Sequence, residues 1–368
     1  MSEARSEAAI RARCTRFLSH HGVESPAAAL RRLADLASPA EPADAYGVGG
    51  AVARLEDRTA TLLGKPAARF FIKGVSAQLC ALRVHAEAAG NTAVALHPLS
   101  HLDHDEANAI ERIGGLRAIR LGRWRPFDVA ALDAVTERLR VVVVELPLRR
   151  AGYLLPSWDE LVAISTWCRE KGVALHLDGA RLWESSAGYG VTVEQIAALA
   201  DTVYVSFYKG LGGLGGAVLA GSVEHVRALG VWKTRFGGDL VTAYPQALSA
   251  LAGMDDHLPR MPRYVMRARA LAERLQELPG LTVNPPVPHI NAFQLILPGC
   301  IDNLRQRHLE MAERRKAWLF NALVDAPLVD QTLAEVTVGA AADAWSDDEA
   351  LTWIKAMLPA SPRSRGLS

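Results

Sequence analysis

The chain is poor in cysteine, has no long uncharged run and carries no excess of either charge, and each shortage narrows its class. Four cysteines, Cys14, Cys80, Cys168 and Cys300, stand far apart among 368 residues. They form neither a metal-type pair nor a disulfide framework, so reduced thiols in a cytoplasmic protein are expected. No uncharged stretch approaches the roughly twenty residues of a membrane span. The first ten residues mix charges and lack the basic-then-apolar order of a secretory leader. Formal net charge is +1 without a long run of one sign, which argues against nucleic acid or a membrane surface as partner. What the chain does have is apolar mass. Half its residues are hydrophobic, enough to bury a large core divided between two lobes.

The pattern along the chain is that of an α/β protein with an appended α+β lobe. Residues 4 to 37 read as two amphipathic helices broken near His20 to Pro26, and a Pro/Ala-rich linker follows at Ser38 to Pro42. A helix is expected from Val52 to Leu63, a strand at Ala68 to Ile72, and a helix from Gly74 through Ala89. Strands and helices then alternate in the βαβ manner. A helix is expected at Asp105 to Ile113. Arg140 to Glu145 is an apolar run suited to a strand covered on both faces. This rhythm implies a seven-stranded mixed or parallel sheet between helices. Beyond Pro245 a long helix (Tyr264 to Leu278), short strands near Leu281 and Asn291 to Leu297, and helices at Asn303 to Lys316 and Asp347 to Met357 suggest a smaller lobe. The expected division is an N-terminal helical arm at 1–45, a large domain at 46–250 and a small domain at 251–368. The tail from Pro359 to Ser368, rich in Ser, Arg and Pro, is expected to fray.

Two segments carry the chemistry. Val173 to Trp183 runs Val-Ala-Leu-His-Leu-Asp-Gly-Ala-Arg-Leu-Trp, and Ser206 to Gly210 runs Ser-Phe-Tyr-Lys-Gly. Each apolar run ends on a charge, Asp178 and Lys209, and about thirty residues separate them, the length of a strand–helix–strand crossover. In a parallel sheet that spacing brings a carboxylate and an amine to one carboxyl-end rim, where open α/β sheets bind ligands. Such a pair suits pyridoxal phosphate: the lysine as Schiff-base former, the aspartate as partner of the pyridine nitrogen. The glycine cluster from Gly210 to Gly216 allows backbone to approach something bulky.

Each residue also has a plainer reading. Asp-Gly after a strand is a common turn signal, and most lysines are solvated charges. Gly74, Val75 and Ser76 sit where a strand turns into a helix. Their backbone N–H groups suit a phosphate, or the segment is an ordinary glycine-capped loop. Arg181 suits a phosphate, a ring hydroxyl or a substrate carboxylate, or it pairs with Glu145 or Glu184. His101, past a strand and a proline, suits ring stacking or proton transfer. The cluster His97, His101, Asp103, His104 and Asp105 lacks metal-ligand spacing, so no metal is expected.

These motifs resemble the threonine aldolase and β-eliminating lyase group of fold-type I pyridoxal phosphate enzymes. His-Leu-Asp-Gly-Ala-Arg-Leu at His176 is highly specific for the group. The Ser206 to Gly216 segment resembles its Schiff-base lysine segment. Tyr-Gly-Val-Gly-Gly at Tyr46 resembles its early tyrosine–glycine motif, and Lys-Thr-Arg-Phe-Gly-Gly at Lys233 its later basic stretch. The likeness runs from about Tyr46 to Pro245. It implies Lys209 as the internal aldimine and Asp178 at the pyridine nitrogen, with Ser206 in the cofactor-binding set. It further implies Arg181 near the ring hydroxyl or substrate carboxylate, phosphate contacts from Gly74 and Val75, with Ser76 the substitute hydroxyl, and His101 stacked on the ring and acting in catalysis. Tyr46 joins the substrate side, and Lys233 or Arg235 reaches a neighbouring subunit's phosphate in a homodimer or homotetramer with interfacial sites.

The implied activity is cleavage of a threonine-like β-hydroxy-α-amino acid to glycine and an aldehyde. β-Elimination, amino-group transfer on another amino acid, or a lapsed cofactor-binding homologue are the alternatives. Departures fall more on the substrate side than on the cofactor side. A helical extension replaces the group's N-terminal Ser-Asp-Thr-Val-Thr segment, and Val75 stands where threonine is usual. Tyr208 replaces a serine, and Leu146-Pro147 replaces Asn-Thr. The arginine that clamps the α-carboxylate is missing near Val336-Thr337.

Overall fold

A computed structural model describes residues 2–88 and 90–359. The frayed tail expected past Pro359, and the expected helix end at Ala89, lie outside the described residues. The chain divides into two compact units, one from Pro26 to Met261 and one joining the residues up to Ser25 to those from Pro262 onward.

The Pro26–Met261 unit is built on the expected seven-stranded mixed sheet. Its strands are β1 (Ala67–Phe71), β2 (Ala93–Leu96), β3 (Arg117–Arg120), β4 (Val141–Glu145), β5 (Ala174–Gly179), β6 (Thr202–Ser206) and β7 (Ala217–Gly221). Their spatial order is β1-β7-β6-β5-β4-β2-β3. Only β7 runs against the rest, pairing antiparallel with both β6 and β1, so the carboxyl ends of the other six share one rim. Helices α1 (Gly50–Leu63), α2 (Gly74–Glu87), α3 (Trp158–Lys171), α4 (Leu182–Tyr189), α5 (Val223–Arg235) and α6 (Tyr244–His257) belong to this unit.

Sequence explains these bounds locally. All five residues of β4 are buried, as a continuous apolar run requires of a central strand. Helix α3 opens on a capping box in which the Ser157 side chain and Glu160 satisfy each other's backbone N–H groups, and it stops at Gly172 in the left-handed conformation. The core on one side gathers Leu79, Leu82, Leu96, Leu102, Ile110 and Val143. The helix expected from Asp105 to Ile113 does not form. Ala107 and Asn108 have φ of 49° and 61°, left-handed values that interrupt a right-handed helix, so only the turns His101–His104 and Ala109–Arg112 remain.

The other unit carries a four-stranded antiparallel sheet of β8 (Thr282–Asn284), β9 (Ala292–Pro298), β10 (Leu323–Asp325) and β11 (Gln331–Thr337), ordered β10-β11-β9-β8. Its helices are α7 (Met261–Leu275), α8 (Ile301–Arg315) and α9 (Asp347–Met357). Residues 2–25 belong here rather than to a single 1–45 arm, and the division falls at residue 261 instead of 250. The reason is pairing and packing. Arg16 and Phe17 pair in parallel with Ala317 and Trp318, and Ile10, Cys14 and Phe17 pack on Ala312 and Trp318. Among the described residues, no helix is long and apolar enough to cross a membrane.

Candidate active site

The six co-directed strands bring Asp178 and Lys209, with Gly74 and His101, to one rim of the Pro26–Met261 unit. Glu145 ends β4 and stands in register with Asp178 of β5, which in turn faces Tyr204 of β6. Asp178 is 1% exposed. Its Oδ2 accepts from the Gln78 side-chain amide at 3.0 Å and its Oδ1 from the Ala180 backbone N–H at 3.2 Å. Both oxygens of this buried carboxylate thus accept an N–H.

Lys209 follows β6 by three residues and is half-buried. Burial pulls its amine down to about 8, and the Arg181 guanidinium adds to that, against the opposing pull of Asp178, Glu145 and Glu184. The structure therefore brings the ammonium and the acid close enough to act on each other. Glu145 is pushed up to about 7, first by burial and then by Asp178, while the backbone N–H groups of His101 and Arg149 oppose the rise. Those N–H groups lie 2.8 and 3.3 Å from its oxygens.

His101 opens its short helix at the same rim. Its Nδ1 lies 2.9 Å from Oε1 of Glu106. That hydrogen bond raises the His101 pKa against the lowering effect of burial and of Lys209. Burial, foremost, raises the Glu106 carboxyl in turn. Three other members of the local cluster have separate partners: His97 the Arg125 carbonyl, Asp103 the Arg120 guanidinium and Asp105 that of Arg150.

Gly74 begins α2, and no side chain caps the helix start, so its first N–H groups face the rim. A Cβ on Gly74 would collide with the Tyr204 hydroxyl. Val75 packs partly into the core, and the Ser76 hydroxyl donates to the Lys73 carbonyl at 2.9 Å. The Lys73 ammonium lies 5.3 Å above the Tyr208 ring. Ser206 is fully buried at the end of β6, its carbonyl accepting from the Trp183 indole at 3.1 Å.

Arg181 leads into α4 with its guanidinium 5.1 Å above the Tyr153 ring. Below it Glu184 is completely buried. A Cβ on Gly210 would strike the Glu184 carboxyl, so the residue after Lys209 is glycine for want of room. Burial raises the Glu184 pKa, and Arg181 and Lys209 oppose that rise.

The remaining sequence-marked residues form a second group. Tyr46 is 63% exposed with φ 51°, and its N–H donates to the Val241 carbonyl at 3.0 Å. Buried Asp44 ties this loop down, accepting from the N–H groups of Gly47, Ala243 and Tyr244. Lys233 is 5% exposed, with Nζ 3.6 Å from Asp239 and 5.8 Å from the Phe71 ring centroid. Arg235 reaches Glu87 at 3.6 Å and covers the Trp232 ring.

Sequence reasoning missed Gln78, Glu106 and the burial of Glu184. The signals were present but faint: Gln78 lies one helical turn past Gly74, and Glu106 lies five residues past His101.

A profile of the family described as beta-eliminating lyase matches residues 23–296. The chain belongs to that family. Among relatives within it, a low-specificity L-threonine aldolase of Arabidopsis thaliana is 27% identical over 252 residues, covering 66% of this chain and 70% of that one. The Escherichia coli K12 low specificity L-threonine aldolase is 28% identical over 247 residues, 64% of this chain and 72% of its own. A putative L-allo-threonine aldolase of Listeria monocytogenes has a solved structure that superposes with TM-score 0.90 at 33% identity, covering 96% of this chain and 98% of that one. A Sphingomonas wittichii serine palmitoyltransferase shares the fold alone, with TM-score 0.66 at 15% identity over 93% of this chain and 86% of that one. The family is pyridoxal phosphate-dependent, and the fold is that of fold-type I.

The residues present fit that cofactor. A buried acid held by two N–H donors, a lysine amine lowered to about 8, a flat imidazole and an uncapped helix start with no room for a Cβ lie on one rim. Asp178 would hold the ring nitrogen, Lys209 the aldehyde carbon, and the N–H groups from Gly74 onward the phosphate.

Proposed function

We propose that the protein is a pyridoxal phosphate-dependent carbon–carbon lyase that cleaves a β-hydroxy-α-amino acid to glycine and an aldehyde. The observation that carries this reading is the placement of Asp178 on one strand and Lys209 three residues past the end of its parallel neighbour, in a chain homologous to threonine aldolases. When bound, pyridoxal phosphate supplies a protonated ring that accepts the electron pair of the broken Cα–Cβ bond.

The chain's own residues do the rest. With its amine near 8, Lys209 is unprotonated in about a tenth of molecules at neutral pH, far more than an ordinary lysine. Asp178 holds a charged acceptor where the ring nitrogen carries its proton. His101, held by Glu106, stacks on the ring and takes the β-hydroxyl proton at its free Nε2. Arg181 binds the ring hydroxyl or the substrate carboxylate. Ser206 and Ser76 line the cofactor side. Tyr46 serves the substrate side, and Lys233 or Arg235 reaches a neighbouring subunit's phosphate in a cytoplasmic homo-oligomer.

The test is the visible spectrum of protein loaded with pyridoxal phosphate, before and after borohydride. It is followed by assay of aldehyde, pyruvate and ammonia from threonine, phenylserine, serine and cysteine. A long-wavelength band bleached by reduction, with aldehyde from the hydroxy amino acids, is expected. Pyruvate and ammonia without aldehyde would replace aldol cleavage by β-elimination.

A further inference from the structure

Behind Asp178, on the side away from the rim, runs a line of buried polar groups that the proposed reaction does not use. Gln78 and His85 lie seven residues apart on α2 and so share one face. Between them stand His176 of β5 and Thr202 of β6, which are register partners. The Gln78 amide nitrogen is 3.0 Å from Asp178 Oδ2, and its oxygen is 3.4 Å from His176 Nε2. His176 Nδ1 is 2.9 Å from the Thr202 hydroxyl, which His85 Nε2 meets at 3.0 Å. Exposure is 2% at Gln78, 0% at His176, 1% at Thr202 and 6% at His85.

The chemistry of these groups fixes the direction of every bond. An ionised carboxylate can only accept, so the Gln78 NH2 must face Asp178 and the Gln78 carbonyl must face His176. His176 must then carry its proton on Nε2, which leaves Nδ1 a lone pair for the Thr202 O–H. The Thr202 oxygen is left to accept the Nε2–H of His85. Each donor points along the line toward Asp178.

We infer that Gln78, His176 and Thr202 form a directional hydrogen-bond relay that holds Asp178 as a proton-free acceptor, making these three positioning residues for the ring nitrogen of the cofactor. The inference rests on the pyridoxal phosphate reading above. The opposite direction, with the proton on Asp178, requires the Gln78 amide to flip and His176 to change tautomer together. The relay thus makes the carboxylate the easier place from which to lose a proton and the ring nitrogen the easier place to keep one. Neutral imidazoles suit the task. Burial, with His225 close by, brings His176 down to about 3, and burial also holds His225 at about 4 and His85 well below its ordinary value.

The charged and titratable groups around Asp178 are Glu145 from β4, Tyr204 from β6, His101 and Glu106 from the short-helix segment, and Lys209. His225 of α5 and Arg140 before β4 face the far end of the relay. None of them lies between Gln78 and Asp178, so substitutions at Gln78 read the relay itself.

The experiment has two arms on the full chain. In the first, protein labelled with 15N-histidine and stripped of cofactor is examined by NMR, with the His176 signals assigned by their loss in His176→Phe. The Nε2–H tautomer is expected in the wild type, and an Nδ1–H tautomer would overturn the relay. In the second, pyridoxal phosphate affinity is measured against pH for the wild type, Gln78→Leu, His176→Phe and His176→Gln. Gln78→Leu should bind about tenfold more weakly at neutral pH, since it leaves a buried charge short of a donor. The acidic limb of its affinity profile should move up by about one pH unit, because a carboxylate stripped of an N–H donor takes up a proton more readily. His176→Phe should move the same way, and His176→Gln, which still offers an N–H, should recover most of the loss. A loss uniform in pH, or no loss, would reduce the line to core packing. Wild-type protein that takes up no pyridoxal phosphate would instead overturn the function proposed above and the relay's cofactor role with it, while the tautomer of His176 still decides the bond directions.

Discussion

His101 and Glu106 form a dyad at the rim, with Nδ1 2.9 Å from Oε1 and the carboxyl almost fully enclosed at 2% side-chain exposure. The imidazole is held above its ordinary pKa by this bond, and its other nitrogen is left for chemistry. Replacing Glu106 by Gln removes the charge but keeps the shape. The His101 ring should then titrate at lower pH, read by proton NMR of its ring hydrogens. If His101 acts as the proposed base, kcat/KM should fall about tenfold, with the acidic limb of the rate profile moving down. A variant with an unmoved His101 titration would remove Glu106 from the account.

Lys209 predicts a pH-dependent stability. Its pKa falls from 10.5 to about 8 on folding, so between those values the unfolded chain holds a proton that the native chain has released. The unfolded state binds more protons in that window, and stability must rise with pH through this group. The lysine therefore weakens the apoprotein below about 8, and the penalty fades as pH climbs. Lys209→Met should remove this rising component, raise stability at neutral pH, and abolish the long-wavelength band and turnover. Urea unfolding of cofactor-free protein at several pH values measures the first two effects. Identical slopes in variant and wild type would contradict the depressed amine.

Gly210 predicts a double-mutant rescue. Alanine there meets the buried Glu184 carboxyl, and overpacking of this kind costs about 1–3 kcal/mol. Glu184→Ala vacates the contested space, so the pair should be less destabilised than the sum of the two single variants. Additive losses in denaturant melts would show that the backbone shifts to accommodate the methyl group.

Much of the large sheet was legible because its signals are local. The Val141–Glu145 run is apolar without interruption, and its burial on both faces follows directly. The Asp347–Met357 helix falls where it was read because Ser346 caps its start and three acids fill its first turn. The Asp105 to Ile113 segment failed for an equally local reason: two left-handed residues cannot be seen in a periodic pattern. The candidate site was legible only where a residue's placement follows from a strand end, as with Asp178 and Lys209. Gln78 meets Asp178 across 100 residues of chain, and Glu184 matters because a glycine from another element leaves room above it. Roles made by packing between distant segments leave no mark on either segment alone.

The N-terminal strand residues Arg16 and Phe17 have a consequence for how the polypeptide is made. They pair with Ala317 and Trp318, and nearby Arg13 bridges to Glu313 across 300 positions. During synthesis, Ile10 and Phe17 wait uncovered until Ala312 and Trp318, about 300 residues later, have been made. Closing so wide a loop is entropically slow relative to local helix formation. By then every strand of the Pro26–Met261 unit has been made, whereas Ile10 and Phe17 of the other unit meet Ala312 and Trp318 only afterwards. Deleting residues 10–17 would therefore injure the unit that closes around Ala312 and Trp318.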